Sequence, residues 1–517
     1  MKFDLLGGSL FFRFLGWILD GIEKSIRASG IVRFIAWVRR LAISSAIVGL
    51  CTRIADGVGA SIHNSAIVTR LLKEDDAGRF RERGLVFRLY LWVLNLLRKI
   101  WHGLRLNRLF ADSIFAKPWI WAIVTMAVIP LLPTMAVLGL VLLSAGSLLM
   151  AMLQDRERTL TYSAVNKYVW LYMLVYGLAT LTSVTFRGSL PVGMITIGLL
   201  LLYHVLVSAI ETKQQVRVLL GVLALAGAAV SAYGILQFLF PSIAGGAAAW
   251  LDDDMFDFVR VYSTLANPNV LGTYFLLVIP LTFAGMIISK TNIGRLYFLG
   301  TGGLMCLCLV LTYSRGAYLG ILFAAAIFLV LLDRRFIVPG IIAVVLIFLA
   351  MPAAILHRIF SVGDLGDTST SFRVFIWMGT LSMLRDYWFS GVGPGEAAWE
   401  LVYPAYSFHA IVSPHSHNLF LQIMVDAGAP GLAVFLGVLY QYFKASFAAL
   451  RRKVQGAQRV LVIAGIASVV GFLVQAMTDY TFYNYRVMLF FWSVLAIGVI
   501  ATRYDKLREG GFHDSGT

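Results

Sequence analysis

From Pro118 onward, long apolar runs alternate with short polar stretches to the end of the chain. Crossing a bilayer takes about 20 apolar residues in a helix, and strand-type alternation is absent, so the pattern predicts membrane helices and not a barrel. About twelve transmembrane segments are read. The first two, "WIWAIVTMAVIPLLP" and "MAVLGLVLLSAGSLLMAM", form a tight hairpin. The others run near 167–185, 190–209, 217–238, 270–289, 296–314, 317–333, 336–356, 430–446, 459–478 and 485–502. The expected fold class is all-α, a polytopic integral membrane protein.

The polar connections set an orientation. With the N-terminus inside, "QDRERTLTYSAVNK", "ETKQQVR", "SKTNIGR", "DRR", "RRKVQGAQR" and the tail "TRYDKLREGG" are all cytoplasmic, and each is basic or carries a basic cluster. Both termini are then cytoplasmic, and the two long connections, 239–269 and 357–429, fall on the outer face. Both greatly exceed a usual connection of about 4–6 residues, and such loops are where function concentrates.

Residues 1–117 differ from the rest. They hold 19 Lys/Arg against 9 Asp/Glu, and no apolar run there is long enough to span. "LFFRFLGWILDGIEKSIR" and "LVFRLYLWVLNLLRKIW" read as amphipathic helices with basic edges, lying on the anionic cytoplasmic surface or packing as a cytoplasmic helical subdomain. "KEDDAGRFRERG" between them reads as a solvated linker. Arg13 inside the first apolar stretch, with no small-residue cleavage site, argues against a removable signal peptide. The expected organisation is a basic amphipathic extension (1–117), a transmembrane domain (118–505) that includes both outer loops, and a cytoplasmic tail (506–517).

Composition agrees: 59% of the 517 residues are hydrophobic, and the mean hydropathy is +0.81. The formal charge of +16 is scattered in short clusters without a groove of interleaved aromatics, so it points to topology and membrane lipid, not nucleic acid. Cys51, Cys306 and Cys308 have no disulfide or metal spacing and read as structural.

Apart from His204, span centres are nearly free of ionisable groups, and no two halves of the chain look alike. An ion-driven transporter usually shows the opposite, ionisable residues in mid-span and internal repeats. The polar groups collect instead at the outer ends of spans. In "RVYSTLANPNVLG", Asn267, Pro268 and Asn269 form a turn that opens a span, with Arg260 upstream as a lipid-phosphate anchor or a substrate contact. "WLDDDMFD" (Asp252, Asp253, Asp254, Asp257) reads as a solvated acidic loop or a divalent-cation site. In "LTYSRGAYLG", Arg315 stands at a helix junction beside Gly316, where its fork of donors could snorkel or hold a phosphate. Arg373 starts the apolar "FRVFIWMGTLSML", a helix expected to lie at the interface until "GVGPG" turns the chain.

The segment "SPHSHNLFLQ" holds two of the 8 histidines and follows His409. Ser413 as N-cap and Pro414 as first residue predict a short amphipathic helix over 414–427, with His415 and His417 in its first turns and Gly428 ending it. The positive helix end favours a bound phosphate and keeps an adjacent histidine neutral. An i, i+2 pair in a helix faces apart, and only Asp426 follows, which disfavours a metal site. A single catalytic base, with outer arginines holding an anionic substrate, makes better use of these parts.

"HNLFLQIMVDAGAPG" resembles the signature of the O-antigen ligase and O-antigen polymerase superfamily of bacterial membrane glycosyltransferases: His, then Asn, Ser or Gln, nine residues, Gly, two residues, Gly. His417, Asn418, Gly428 and Gly431 stand in register. "LANPN", with Asn267 and Asn269, "TYSRGAYLG", the "FR" of Arg373 and "GVGPG" fall in the family's order, so the resemblance covers roughly 118–505. It implies a GT-C-like fold in the bacterial cell membrane. It also implies an inverting, metal-independent transfer of a glycan from undecaprenyl pyrophosphate to an acceptor hydroxyl at the outer, periplasmic face, with no cofactor. Carried over by position, His417 is the general base, Arg315 and Arg373 hold the pyrophosphate, and Arg260 is a third, weaker contact. The implied partners are the undecaprenyl-pyrophosphate-linked glycan, an acceptor glycan or glycolipid, membrane lipid, and a polysaccharide chain-length regulator or other assembly protein. The family motif is shared by polymerases, by ligases and by enzymes that glycosylate proteins. Polymerase is the preferred expectation, with ligase as the alternative, and a lipid-linked glycan flippase or exporter and a scaffold as readings from other classes.

Overall fold

The computed structural model describes residues 84–110, 113–240, 260–342 and 368–509. The structure is all-helical over these residues. The helices that matter below are α1 (Leu85–Gly103), α2 (Pro118–Val128), α3 (Thr134–Gln154), α4 (Ala164–Leu181), α5 (Phe186–Ala209), α6 (Lys213–Leu239), α7 (Pro268–Ile288), α8 (Asn292–Val310), α9 (Arg315–Leu332), α10 (Thr368–Tyr387), α11 (Glu396–Val402), α12 (Leu419–Arg451), α13 (Gly456–Ala476) and α14 (Tyr485–Thr502).

Among the described residues, nine helices are long and apolar enough to cross a membrane: α3, α5 to α9, and α12 to α14. This is fewer than the twelve expected, for three reasons. α2 is helical but has only 11 residues, α4 carries Asn166, Lys167 and three tyrosines that dilute its apolar character, and 336–356 lies mostly outside the described residues. The acidic run Asp252–Asp257 and the first 83 residues, including Cys51, also lie outside them.

α14 sits at the centre. Its residues from Val487 to Ala501 are all buried, and α5, α7, α12 and α13 surround it. Because lipid tails are as apolar as leucine, helices in a membrane associate through close packing at small residues. α9 and α13 show this: a Cβ at Gly320 would stand 2.7 Å from the Gly471 carbonyl oxygen, and one at Gly471 would stand 3.0 Å from that of Gly320. Neither position has room for a side chain.

The connections sort into two ends. At one, Arg158 and Arg508 both pair with Glu211, Lys213 bonds Glu509 at 2.6 Å, and Arg459 reaches the Leu331 carbonyl at 2.7 Å. These are the basic connections of the sequence. The other end gathers the starts of α7, α9, α12 and α14. There α10, α11 and the first part of α12 enclose a second small core around Trp399, Tyr403, Ile376 and Val425. α1 packs on α3, and the Arg98 guanidinium bonds the carbonyls of Met152, Asp155 and Arg158. Leu89, Trp92, Leu96 and Ile100 remain exposed along it.

Candidate functional site

Four helices begin at the second end, and each is capped by a side chain that accepts from backbone N–H groups in the first turn: Asn267 for α7, Ser314 for α9, Asn418 for α12 and Asn484 for α14. The residues before three of these caps, Ala266, Tyr313 and His417, have left-handed backbones with φ of 63°, 49° and 49°. A non-glycine residue held there costs on the order of 1–3 kcal/mol and persists only where its surroundings fix it.

The turn 475–484 ties the four starts together. Gln475 Nε2 donates to the Asn269 carbonyl at 2.8 Å, Asn418 Nδ2 donates to the Met477 carbonyl at 2.7 Å, and Asn484 Nδ2 donates to the Leu265 carbonyl at 3.2 Å. Gly316, next to Arg315, is packed so closely on Gln475 and Thr478 that a Cβ would lie 3.1 Å and 3.3 Å from their side chains.

The helix start expected at Ser413–Pro414 is not there. Ser413 Oγ is engaged by the His415 backbone, donating to its carbonyl at 2.6 Å, and the Ser413 carbonyl accepts from the Trp399 indole. α12 starts at Leu419, where the Asn418 side chain accepts from Phe420 N at 2.9 Å and Leu421 N at 3.0 Å. The histidines therefore precede the helix, and the expectation that they face apart fails with it. The His415 and His417 ring centroids are 4.2 Å apart, and His417 N donates to His415 Nδ1 at 3.2 Å. The break at Gly428 is as expected, with Ala427 and Gly428 leaving helical geometry. Gly428 has φ +64°, and a Cβ on it would lie 1.8 Å from the Phe389 carbonyl oxygen. Glycine is required there by a backbone crossing, secured by Ala429 N to the Trp388 carbonyl (2.8 Å) and Val392 N to the Val425 carbonyl (2.7 Å). A Cβ on Gly431 would lie 2.5 Å from that of Ala427 across the same break. Gly391, Gly393 and Gly395 all have positive φ, in keeping with a turn.

The sequence reading missed Asp479. Its Oδ1 lies 3.3 Å from His417 Nδ1 and also accepts from Tyr480 N at 2.9 Å. The His417 side chain is 22% exposed and that of Asp479 is 9% exposed, so the carboxylate forms the floor and the imidazole the surface of the site. With Nδ1–H directed at the carboxylate, Nε2 keeps its lone pair. The available signal was a carboxylate in the short turn between the last two spans, at the outer end where the other candidate groups collect.

Burial alone would push the Asp479 carboxyl up. The His417 hydrogen bond and charge, then Arg373 and His415, outweigh it and hold the group well below the usual carboxylate range. His415 is pushed down to about 3, first by burial and then by His417, with Asp479 opposing and Arg373 adding to the fall. It is a neutral ring, consistent with its Nδ1 accepting from the His417 backbone. It also stacks on Tyr483 at 5.1 Å.

Arg373 is thus electrostatically coupled to both Asp479 and His415, and its neighbour Phe372 meets the His417 ring edge-on at 6.2 Å. It does not start its helix; α10 already runs from Thr368. Arg315 is the first residue of α9, adjoining the turn that carries Asp479 through Gly316. Arg260 is only 9% exposed: its Nε donates to the Thr312 carbonyl and its Nη2 to Asn269 Oδ1, both at 3.1 Å. It therefore braces the starts of α7 and α9. His409 lies apart, edge-on to Phe375 at 4.7 Å. His417, Arg373 and Arg315 are thus gathered around one turn.

Behind the histidines, Gln422 Oε1 accepts from Ser416 N at 2.8 Å, and Gln422 Nε2 donates to Asp426 Oδ1 at 2.9 Å. Asp426, noted in the sequence only as the one carboxylate that follows the histidines, thereby fixes the amide that holds the left-handed loop.

A family model described as O-antigen ligase matches residues 301–436, a segment that holds Arg315, Arg373, His417, Gly428 and Gly431. The match is consistent with the O-antigen ligase and polymerase superfamily and supports a glycan transfer related to surface polysaccharide. No curated protein matches the chain. Asp479, Arg260 and Asn267 lie outside the matched segment.

Proposed function

We propose that this multi-pass membrane protein transfers a glycan from a polyprenyl-pyrophosphate-linked donor, undecaprenyl pyrophosphate in a bacterial membrane, to an acceptor hydroxyl, acting as a surface-polysaccharide polymerase. The observation that carries the reading is the His417–Asp479 contact beside Arg373, within and next to the segment matched by the O-antigen ligase model. The basic connections at the opposite end support a site on the outer face, with both termini in the cytoplasm.

In this mechanism His417 Nε2 takes the proton of the acceptor hydroxyl as its oxygen attacks the anomeric carbon of the donor sugar. The bond from that carbon to the pyrophosphate oxygen breaks on the opposite side, so the configuration inverts. Negative charge grows on the leaving pyrophosphate, where Arg315 and Arg373 present guanidinium forks that neutralise it. Asp479 holds the imidazole in orientation and stabilises the imidazolium as it forms. Arg260 contributes by bracing both helix starts. No step draws on a metal or a cofactor.

The test is to incubate the purified full-length protein with a lipid-linked repeat unit and candidate acceptors, and to size the products. A ladder is expected from the wild type and none from a folded, inserted His417→Ala variant. One discrete adduct would replace polymerase by ligase. Normal polymer from His417→Ala would sink the assignment.

A further inference from the structure

Beside the histidines lies a cavity that the mechanism does not use. It has a volume of about 490 Å³ and is bounded by Leu132, Pro133 and Thr134 of the α2–α3 turn and by Tyr483, Tyr485 and Arg486 at the start of α14. This is within the ~300–1,000 Å³ typical of small-molecule sites. Arg486 is half-buried, and within the described residues its guanidinium makes no hydrogen bond or ion pair. A guanidinium withdrawn from bulk water without a protein partner is poised for an anion, and as a fork it suits carboxylate or phosphate oxygens. The two tyrosines supply flat, amphipathic walls of the kind on which the apolar face of a sugar ring packs.

The cavity is joined to the candidate base by a file of rings. Phe372 meets His417 at 6.2 Å, His417 meets His415 at 4.2 Å, and His415 stacks on Tyr483 at 5.1 Å, whose ring borders the cavity. Arg373 adjoins Phe372 at the far end of this file. The file thus links the proposed pyrophosphate contact and the Arg486 cavity through the histidine pair, which brings an acceptor bound in the cavity near the candidate base.

We infer that the Arg486 cavity is an acceptor-side subsite for an anionic sugar, with the guanidinium on its carboxylate or phosphate and Tyr483 and Tyr485 against its ring. The acceptor role rests on the glycan-transfer reading, whereas the anionic-sugar site can be tested without it. Full-length protein in nanodiscs of neutral lipid is mixed with methyl glucuronide, glucose 6-phosphate or neutral methyl glucoside, and binding is followed by saturation-transfer NMR. At least one anionic sugar is expected to give a signal some tenfold above the neutral one. Arg486→Gln should reduce it to the neutral level, Arg486→Lys should keep part of it, and Thr134→Trp, which fills the cavity and leaves the guanidinium, should also abolish it. The sugar that binds identifies carboxylate or phosphate, and either supports the site. Equal binding of the neutral sugar, a signal that survives both Arg486→Gln and Thr134→Trp, or displacement by added phosphatidylglycerol, which would make it a lipid headgroup site, overturns it. These readouts need no turnover, so they stand even when no ladder forms. Where transfer is measured, Arg486→Gln should raise the acceptor KM about tenfold and leave the donor KM within twofold; the reverse split overturns the acceptor assignment.

Discussion

Replacing Asp479 by Asn isolates the charge behind the candidate base. Asp479 Oδ1 accepts from both His417 Nδ1 and Tyr480 N, and an asparagine Oδ1 in the same place accepts from both, so shape and hydrogen bonds are kept. What disappears is the carboxylate that faces the imidazolium once His417 has taken the acceptor proton. At the observed 3.3 Å and an effective dielectric of ~20, the attraction is about 5 kcal/mol. Partial exposure of the imidazole lowers this to roughly 3 kcal/mol, and since the imidazolium exists only as the reaction proceeds, the loss falls on kcat. The range corresponds to a fall of about 10²- to 5 × 10³-fold. The assay is initial-rate glycan transfer by purified protein at saturating donor and acceptor, with donor KM and thermal unfolding measured in parallel. Donor KM and Tm should stay close to wild type. A folded Asp479→Asn enzyme retaining more than a third of the wild-type kcat, beside an inactive His417→Ala, would refute the dyad.

Three further outcomes follow from the same geometry. Gly428→Ala drives a Cβ to 1.8 Å from a backbone oxygen at φ +64° and opens two backbone hydrogen bonds, so it should cost at least about 3 kcal/mol and lower Tm sharply; an unchanged melting curve would contradict the crossing. Gln422→Leu strands Ser416 N and takes the donor from Asp426 Oδ1, releasing the histidine loop, and should reduce kcat about tenfold or more with donor KM little changed, as read from initial rates. His415 has a folded pKa of about 3 against ~6.5 unfolded, so between these values the unfolded chain binds the extra proton and stability falls as pH falls. Asp479, held below its unfolded value of ~3.9, contributes its loss only at lower pH. Subtracting the Tm profile of His415→Phe from that of wild type should therefore leave a slope between pH 6.5 and 4, and a flat difference would contradict a buried neutral His415.

The spans were legible because continuous apolar runs must become helices in lipid, whatever they pack against. The Asn267 and Gly428 turns were legible because each answers a local backbone demand. The start of α12 was not. Ser413–Pro414 and Asn418 both satisfy local capping rules, and the choice is made by a Gln422 side chain six residues beyond Ser416 and by the Trp399 indole, neither of which enters a capping rule. Asp479 is 62 residues from His417 in sequence and meets it only because α13 returns the chain to the same end of the bundle. Arg260 shows another limit of the sequence: a lipid-phosphate anchor, a substrate contact and a brace look alike there, and only the fold reveals that two of its donors go to Thr312 and Asn269.

The turn 475–484 gives these separate facts a common cause. It receives hydrogen bonds or close packing from the starts of α7, α9, α12 and α14, whose residues are otherwise far apart in the chain, and it carries the only carboxylate that faces His417 among the described residues. Each helix start brings roughly half a positive charge to its N-terminus, fading within a turn. Four starts around one turn therefore make a positive basin into which Arg315, Arg373 and Arg486 add full charges. In the proposed mechanism a base that gains a proton in such a field is served by a local negative charge. Asp479 supplies it from the buried side, leaving the exposed side of the basin to an anionic leaving group. In the proposed mechanism the charge that would attract a pyrophosphate is the same charge that calls for the aspartate, and the bracing of helix starts by Arg260, Gln475 and Asn484 maintains both.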